Sequence, residues 1–153
     1  MYPTLESRAD LLKILDEMTE ARKQMLERCE RMSDAQLHDP VYPGTWSVLQ
    51  TLAHLAWAEA DMLAWIERRP GPLPPQDQPA EPPADLPAVR TALDEAHATA
   101  IAFLKAHPET VLKEKCQYGR QGEQTVGGGY FHLVEHEIHH RAFIRHKLGK
   151  LQG

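Results

Sequence analysis

One stretch near the C-terminus concentrates the chain's capacity for chemistry: Tyr130-Phe-His-Leu-Val-Glu-His-Glu-Ile-His-His-Arg-Ala-Phe-Ile-Arg-His146. It holds His132, His136, His139, His140 and His146, five of the nine histidines in the sequence. No Pro or Gly interrupts it, and Phe131, Val134, Ile138 and Phe143 supply apolar positions at helical spacing. Read as a helix, the stretch puts His136 and His140 one turn apart on the same face. Two imidazoles so placed can aim ring nitrogens at one point about 2 Å from each, the way a divalent ion such as zinc is held. His132 extends that row backwards by a turn, while His139 and His146 are rotated off it.

The segment also satisfies a His-Glu-x-x-His pattern at His136-Glu-Ile-His-His140, with His146 at the spacing of a third protease histidine. The geometry opposes a protease. The glycine that would turn the chain back is replaced by Phe143, so a continuous helix carries His146 about 240° around the axis from His140. No Glu or Asp follows Glu137 to serve as a downstream ligand.

A third ligand must come from elsewhere, and the rest of the chain reads as helices. From Leu5 to about Arg31, Leu11, Leu12, Leu15, Met18, Met25 and Leu26 recur among charges, an amphipathic helix. Residues 32–44, with Pro40, Pro43 and Gly44, read as a connection. Ser47 followed by Gln50 is a capping-box pattern that opens a second helix, running to about Arg69 where Pro70 stops it. Its apolar residues lie nearly all round, so it is buried on more than one side. His54, Glu59 and Asp61 in its middle argue against a membrane span. Residues 70–87 carry eight of the twelve prolines and read as a long extended crossover. A third helix, capped by Asp85 with Pro87 in its first turn, extends to Ala106 before His107-Pro108. Residues 109–125 read as a short strand or irregular chain with a turn at Gly119 and Gly122. The fourth helix starts between Thr125 and Tyr130, where Gly127, Gly128 and Gly129 weaken its first turn or bring backbones close, and should end near Leu148-Gly149.

The expected architecture is therefore all-α, a four-helix bundle with a Pro-rich crossover between helices two and three, in a single domain over residues 1–153. Bundles build metal sites from side chains on facing helices. His54 is the one histidine inside the strongly buried second helix. Together with His136 and His140 it would leave a divalent ion with open positions, the arrangement of catalytic zinc. Glu59, Asp61, Glu135 and Glu137 are candidates to orient ligands or move protons.

These residues resemble a known family. Trp46-Ser47, Leu52-Ala-His54-Leu55 and Glu59, followed far downstream by His132-Leu-Val-Glu-His136-Glu-Ile-His-His140-Arg141, are similar to the DinB/YfiT-like family of metal-dependent helical-bundle enzymes. The likeness spans essentially the whole chain. It implies that the metal ligands are His54, His136 and His140, with His132 near but not ligating. It departs after Arg141, where many relatives continue Gly-Gln and this chain has Ala142-Phe143. The resemblance implies thiol-dependent S-transfer with a low-molecular-weight thiol, or hydrolysis, on a small electrophilic molecule. Zinc or nickel is the expected ion, since imidazole suits both. The alternative is a metal-containing ligand-binding or stress-response module without turnover.

A net charge of −5 gives no basic footprint for nucleic acid or anionic lipid. Cys29 and Cys116 form no Cys-x-x-Cys pair and suggest no disulfide framework, and residues 1–8 lack a signal-peptide core, so a cytoplasmic protein is expected. Trp57, Trp65 and Phe143 are candidates for a dimer face, and relatives are often dimers, so the expected assembly is a homodimer.

Overall fold

The computed structural model describes residues 2–67, 85–117 and 122–152. Within them the helices are α1 (Arg8–Cys29), a single-turn α2 (Asp34–His38), α3 (Val48–Ile66), α4 (Leu86–Ala106) and α5 (Val126–Leu151). A 3-10 turn at Glu109–Lys113 follows α4 and leads into a hairpin of β1 (Lys115–Gln117) and β2 (Glu123–Thr125). The strands pair antiparallel with Cys116 opposite Gln124.

Helix starts follow local chemistry. Ser47 accepts from the Gln50 backbone N–H while Gln50 reaches back to the Ser47 N–H, the reciprocal cap read from the sequence. Asp85 caps α4 through the Ala88 N–H, with Pro87 in the first turn. Two ends differ from expectation. The 32–44 connection contains α2, opened by a second capping box between Ser33 and Gln36. α5 runs through Gly149 to Leu151. Gly149 stays helical because Leu148 and Leu151, on either side of it, pack into the core and continue the apolar stripe. The prolines of the expected crossover other than Pro87 lie outside the described residues.

The packing fixes the topology. One apolar cluster joins Leu11, Leu15 and Met18 of α1 to Met62, Leu63 and Ile66 of α3, Ala100, Phe103 and Leu104 of α4, and Tyr130 and Leu133 of α5. The other joins Met25, Leu26 and Cys29 to Leu49, Leu52 and Leu55, Val89 and Leu93, and Ile144 and Leu148. The late halves of α3 and α4 thus meet the early halves of α1 and α5. α3 and α4 are parallel neighbours, both antiparallel to α1 and α5. α3 packs on α4 and α5, and α1 packs on the same two helices. Among the described residues no helix is long and apolar enough to cross a membrane.

Candidate metal centre

The two apolar clusters are separated by a layer of buried charge to which each long helix contributes one residue: Arg22, Glu59, His97 and Glu137. Arg22 donates from Nε and Nη2 to the two oxygens of Glu137 (3.0 and 2.9 Å) and from Nη2 to Glu59 Oε2 (2.6 Å). His97 Nδ1 lies 2.8 Å from Glu59 Oε1 and its Nε2 lies 3.0 Å from the Leu15 carbonyl oxygen. Through its two ring nitrogens His97 thus links α4 to both α3 and α1. Burial opposes ionisation of Glu59, but the His97 hydrogen bond and the Arg22 charge outweigh it and hold the carboxyl below its usual range. Burial likewise opposes the charge on Arg22, and Glu137 and Glu59 overcome it.

Beside this layer, on the face shared by α3 and α5, the structure brings together His54, His136 and His140. One ring nitrogen from each lies within 4.8 Å of the other two, and all three rings are half-buried. The Nε2 atoms of His54 and His136 are 3.1 Å apart. That separation is compatible with two nitrogens sharing one ion at bond lengths of about 2.0–2.1 Å. Ring centroids are 4.4 Å apart for His136 and His140 and 4.8 Å for His54 and His140. Burial, then the neighbouring histidines His140 and His54, lower His136 to about 3. Burial, then His54 and His139, lower His140 to about 4. Both rings are therefore neutral near pH 7, the form that donates a lone pair to a metal. The three-nitrogen donor set suits zinc, copper, iron or nickel.

The remaining histidines of α5 stand apart. His132 stacks on Tyr2 (centroids 4.6 Å, planes 14° apart) and its Nδ1 lies 2.9 Å from Glu135. His146 Nε2 lies 2.9 Å from the Tyr42 hydroxyl. His139 is exposed beside His140. Of the four carboxylates nominated from the sequence, Glu59 and Glu137 belong to the Arg22 layer and Glu135 pairs with His132. Asp61 is half-buried, its pKa raised by burial. Trp65, nominated for an exposed face, is partly buried against the core.

Sequence reasoning missed Arg22, His97 and Lys147. Each occupies a core-facing position in its helix, which is the signal that could have found them: Arg22 between Met18 and Met25, His97 between Leu93 and Ala100, Lys147 after Ile144. Lys147 Nζ is fully buried and donates to the Pro40 carbonyl (2.8 Å), Thr45 Oγ1 (2.8 Å) and the Trp46 carbonyl. The Trp46 indole packs on the triad, 4.7 Å from the His54 ring and 6.2 Å from that of His140. Trp57 approaches His54 at 5.9 Å.

Comparison with solved structures shows the same fold. YfiT from Bacillus subtilis, described as "a probable metal-dependent hydrolase with an unusual four-helix bundle topology", aligns with a TM-score of 0.76 at 22% identity, over 99% of this chain and 94% of its own. A DinB-like protein from Bacillus cereus aligns with a TM-score of 0.71 at 15% identity, over 98% and 94% of the two chains. TT2238, described as a four-helix bundle protein, aligns with a TM-score of 0.68 at 21% identity, over 92% and 99%. At these identities the likeness is one of fold. No curated protein matches the sequence. The family model of the DinB superfamily, however, matches residues 17–144, a span that includes His54, His136, His140 and the whole Arg22 layer, and the chain belongs to that superfamily.

Proposed function

We propose that this protein is a metal-dependent enzyme in which His54, His136 and His140 hold one divalent ion, zinc or nickel. The observation that carries the reading is the convergence of three half-buried ring nitrogens from two helices. Two of the rings are kept unprotonated by burial and by one another. The chemistry supplied by a bound ion is Lewis-acid activation of a water or a thiol near neutral pH. The half-exposed side of the triad leaves access for a small electrophilic substrate and its nucleophile, which we assign as water or a low-molecular-weight thiol. The description of YfiT as a probable metal-dependent hydrolase supports the hydrolytic arm. Trp46 and Trp57 give the approach an aromatic wall. We further propose a homodimer, since Trp57, Ile138 and Phe143 are 37%, 53% and 38% exposed. Sedimentation of the full chain tests that point, and a monomer at working concentration refutes it.

Elemental analysis of untagged protein beside a His54→Ala variant tests the centre. The expected result is about one divalent ion per chain, lost in the variant. Metal that persists in the variant would move the site onto α5 alone. No uptake after reconstitution with zinc or nickel salts would end the reading.

A further inference from the structure

The segment Asp39–Trp46 is fastened more tightly than a surface connection requires. Val41 has φ +65°, left-handed for a β-branched residue, and sits at the centre of a tight γ-type turn closed by Tyr42 N–H to the Pro40 carbonyl (2.7 Å). Asp39 Oδ1 accepts from the Val41 N–H (2.7 Å), and the Thr45 hydroxyl shares its one proton between the Pro40 and Tyr42 carbonyls (2.9 and 2.8 Å). Lys147 completes the fastening from α5. Its three ammonium protons have three acceptors, the Pro40 and Trp46 carbonyls and Thr45 Oγ1, all from this one segment. Its charge also lies 4.7 Å from the centre of the Phe143 ring. Among the described residues no carboxylate forms an ion pair with it; its direct acceptors are neutral oxygens, and the Asp39 charge only partly offsets the burial that disfavours the ammonium. Such an arrangement is costly to the fold and persists where the surroundings over-determine it.

What it determines is the position of Trp46. Lys147 lies on the α5 face that carries His136 and His140, two turns beyond His140. Its bond to the Trp46 carbonyl ties that residue's backbone to the helix bearing two of the three histidines. The Trp46 ring then rests on His54 and His140. We propose that Lys147 is a positioning residue that holds Trp46 as a wall over the histidine triad, and that this wall slows exchange of the bound ion with solvent. The second half rests on the metal reading above. The first half does not.

The experiment uses full-length protein with Trp57→Phe and Trp65→Phe, which leaves Trp46 as the sole indole. Acrylamide quenching of Trp46 is measured without metal, with and without Lys147→Met. Nickel-loaded samples are then mixed with excess EDTA, and release is followed by recovery of Trp46 emission. A Trp46→Ala variant, retaining Trp57, is followed by the absorbance of a chromogenic chelator. Lys147→Met should make Trp46 clearly more accessible to acrylamide. It and Trp46→Ala should release nickel about tenfold faster than their parents, the low end of what loss of a supporting group costs a metal site. A purely structural lysine would lower the melting temperature while leaving quenching and release unchanged, and that result overturns the proposal. Faster quenching with unchanged release overturns the wall while sparing the tether. If the parent takes up neither nickel nor zinc, the metal reading fails, and the acrylamide comparison still decides the tether. Should Lys147→Met fail to fold by circular dichroism, Thr45→Val, which removes one of the three acceptors, must give the same directions at smaller size.

Discussion

Arg22 on α1 grips Glu137 on α5 with two parallel hydrogen bonds, Nε to Oε1 at 3.0 Å and Nη2 to Oε2 at 2.9 Å. Glu137 follows His136 in the chain, so this fork sets the rotation of α5 at the level where its histidines turn toward α3. The same guanidinium bonds Glu59, five residues beyond His54 on α3. One buried cation therefore ties together the two helices that supply the triad, with an exactness of direction that a bidentate fork gives and an apolar contact does not.

Replacing Arg22 by Met removes the cation that Glu59 and Glu137 share, leaving Glu59 with His97 (2.8 Å) and Glu137 with only a long contact from Arg141 Nη1 (3.4 Å). The expected loss is about 3–5 kcal/mol, the range for breaking a buried pair by removing one partner. Urea unfolding of the metal-free protein measures it. Because the neighbours are the lesion, changing Arg22, Glu59 and Glu137 together to apolar or neutral residues of similar volume should recover a large part of the loss. A single-variant loss under about 1 kcal/mol would mean that the carboxylates find other partners or water.

Acid should weaken the metal-free protein through three groups, all in one direction. His136 and His140 titrate at about 3 and about 4 in the fold, below their ordinary value of 6.5. Between those values the unfolded chain binds more protons, so stability rises with pH there and is lost as pH falls from 6.5 toward 4 and 3. Glu59 is also held below its usual range, so its contribution is complete above the ordinary carboxyl pKa and disappears as pH falls through its folded value. Urea midpoints between about pH 7 and pH 4.5 should fall in the parent. A His136→Gln/His140→Gln double variant should flatten that slope. An equal slope in parent and double variant would show that other groups carry the acid response.

His136→Ala separates site from scaffold. Alanine is the best helix former, and the lost ring is only half-buried at a face, so the stability change should stay within about 1–2 kcal/mol. Loss of one of three ligands should cost more metal affinity than the 10–100-fold typical of supporting partners. A competition assay against a chelator of known affinity gives the second figure and urea unfolding the first. Loss of helicity comparable to global unfolding would make the cluster structural instead.

The contrast between what was legible and what was not has a physical source. His136 and His140 were legible because helical spacing alone puts i and i+4 on one face, and His54 because it is the one histidine in the strongly buried second helix, among Leu52, Ala53, Leu55 and Trp57. α2 was not, since a five-residue helix has too few turns to show periodicity; its Ser33–Gln36 cap was the only trace. The charged layer was hidden because Arg22, Glu59, His97 and Glu137 each look like a surface charge when taken singly. Arg22 and His97 do stand on the apolar stripes of their helices, but that the four meet in one layer at the boundary of two apolar clusters depends on the parallel setting of α3 and α4, which no local pattern encodes. Lys147 was missed because its partners lie in the 40–46 segment, far away in sequence.

The glycines of α5 illustrate the same limit and give opposite predictions for one substitution. At Gly127 an added Cβ would lie 2.2 Å from the Leu5 carbonyl oxygen, 2.8 Å from Thr4 Cγ2 and 3.0 Å from the Leu112 carbonyl oxygen. The N-terminal residues cross the start of α5 there, held by Tyr2 N–H to Gln124 (2.8 Å) and by the Thr4–Thr125 hydroxyl pair (2.7 Å). Two of the three obstacles are backbone and cannot rotate away, so Gly127→Ala should cost about 1–3 kcal/mol despite its better helix propensity. Gly149, with nothing within 4 Å of the added atom, is free to gain that propensity. Gly149→Ala should stabilise the protein by about 0.5–1 kcal/mol. Urea unfolding of the two variants side by side decides the matter. Stabilisation by both would show that the N-terminal segment yields readily, and that its packing over α5 contributes little to the fold.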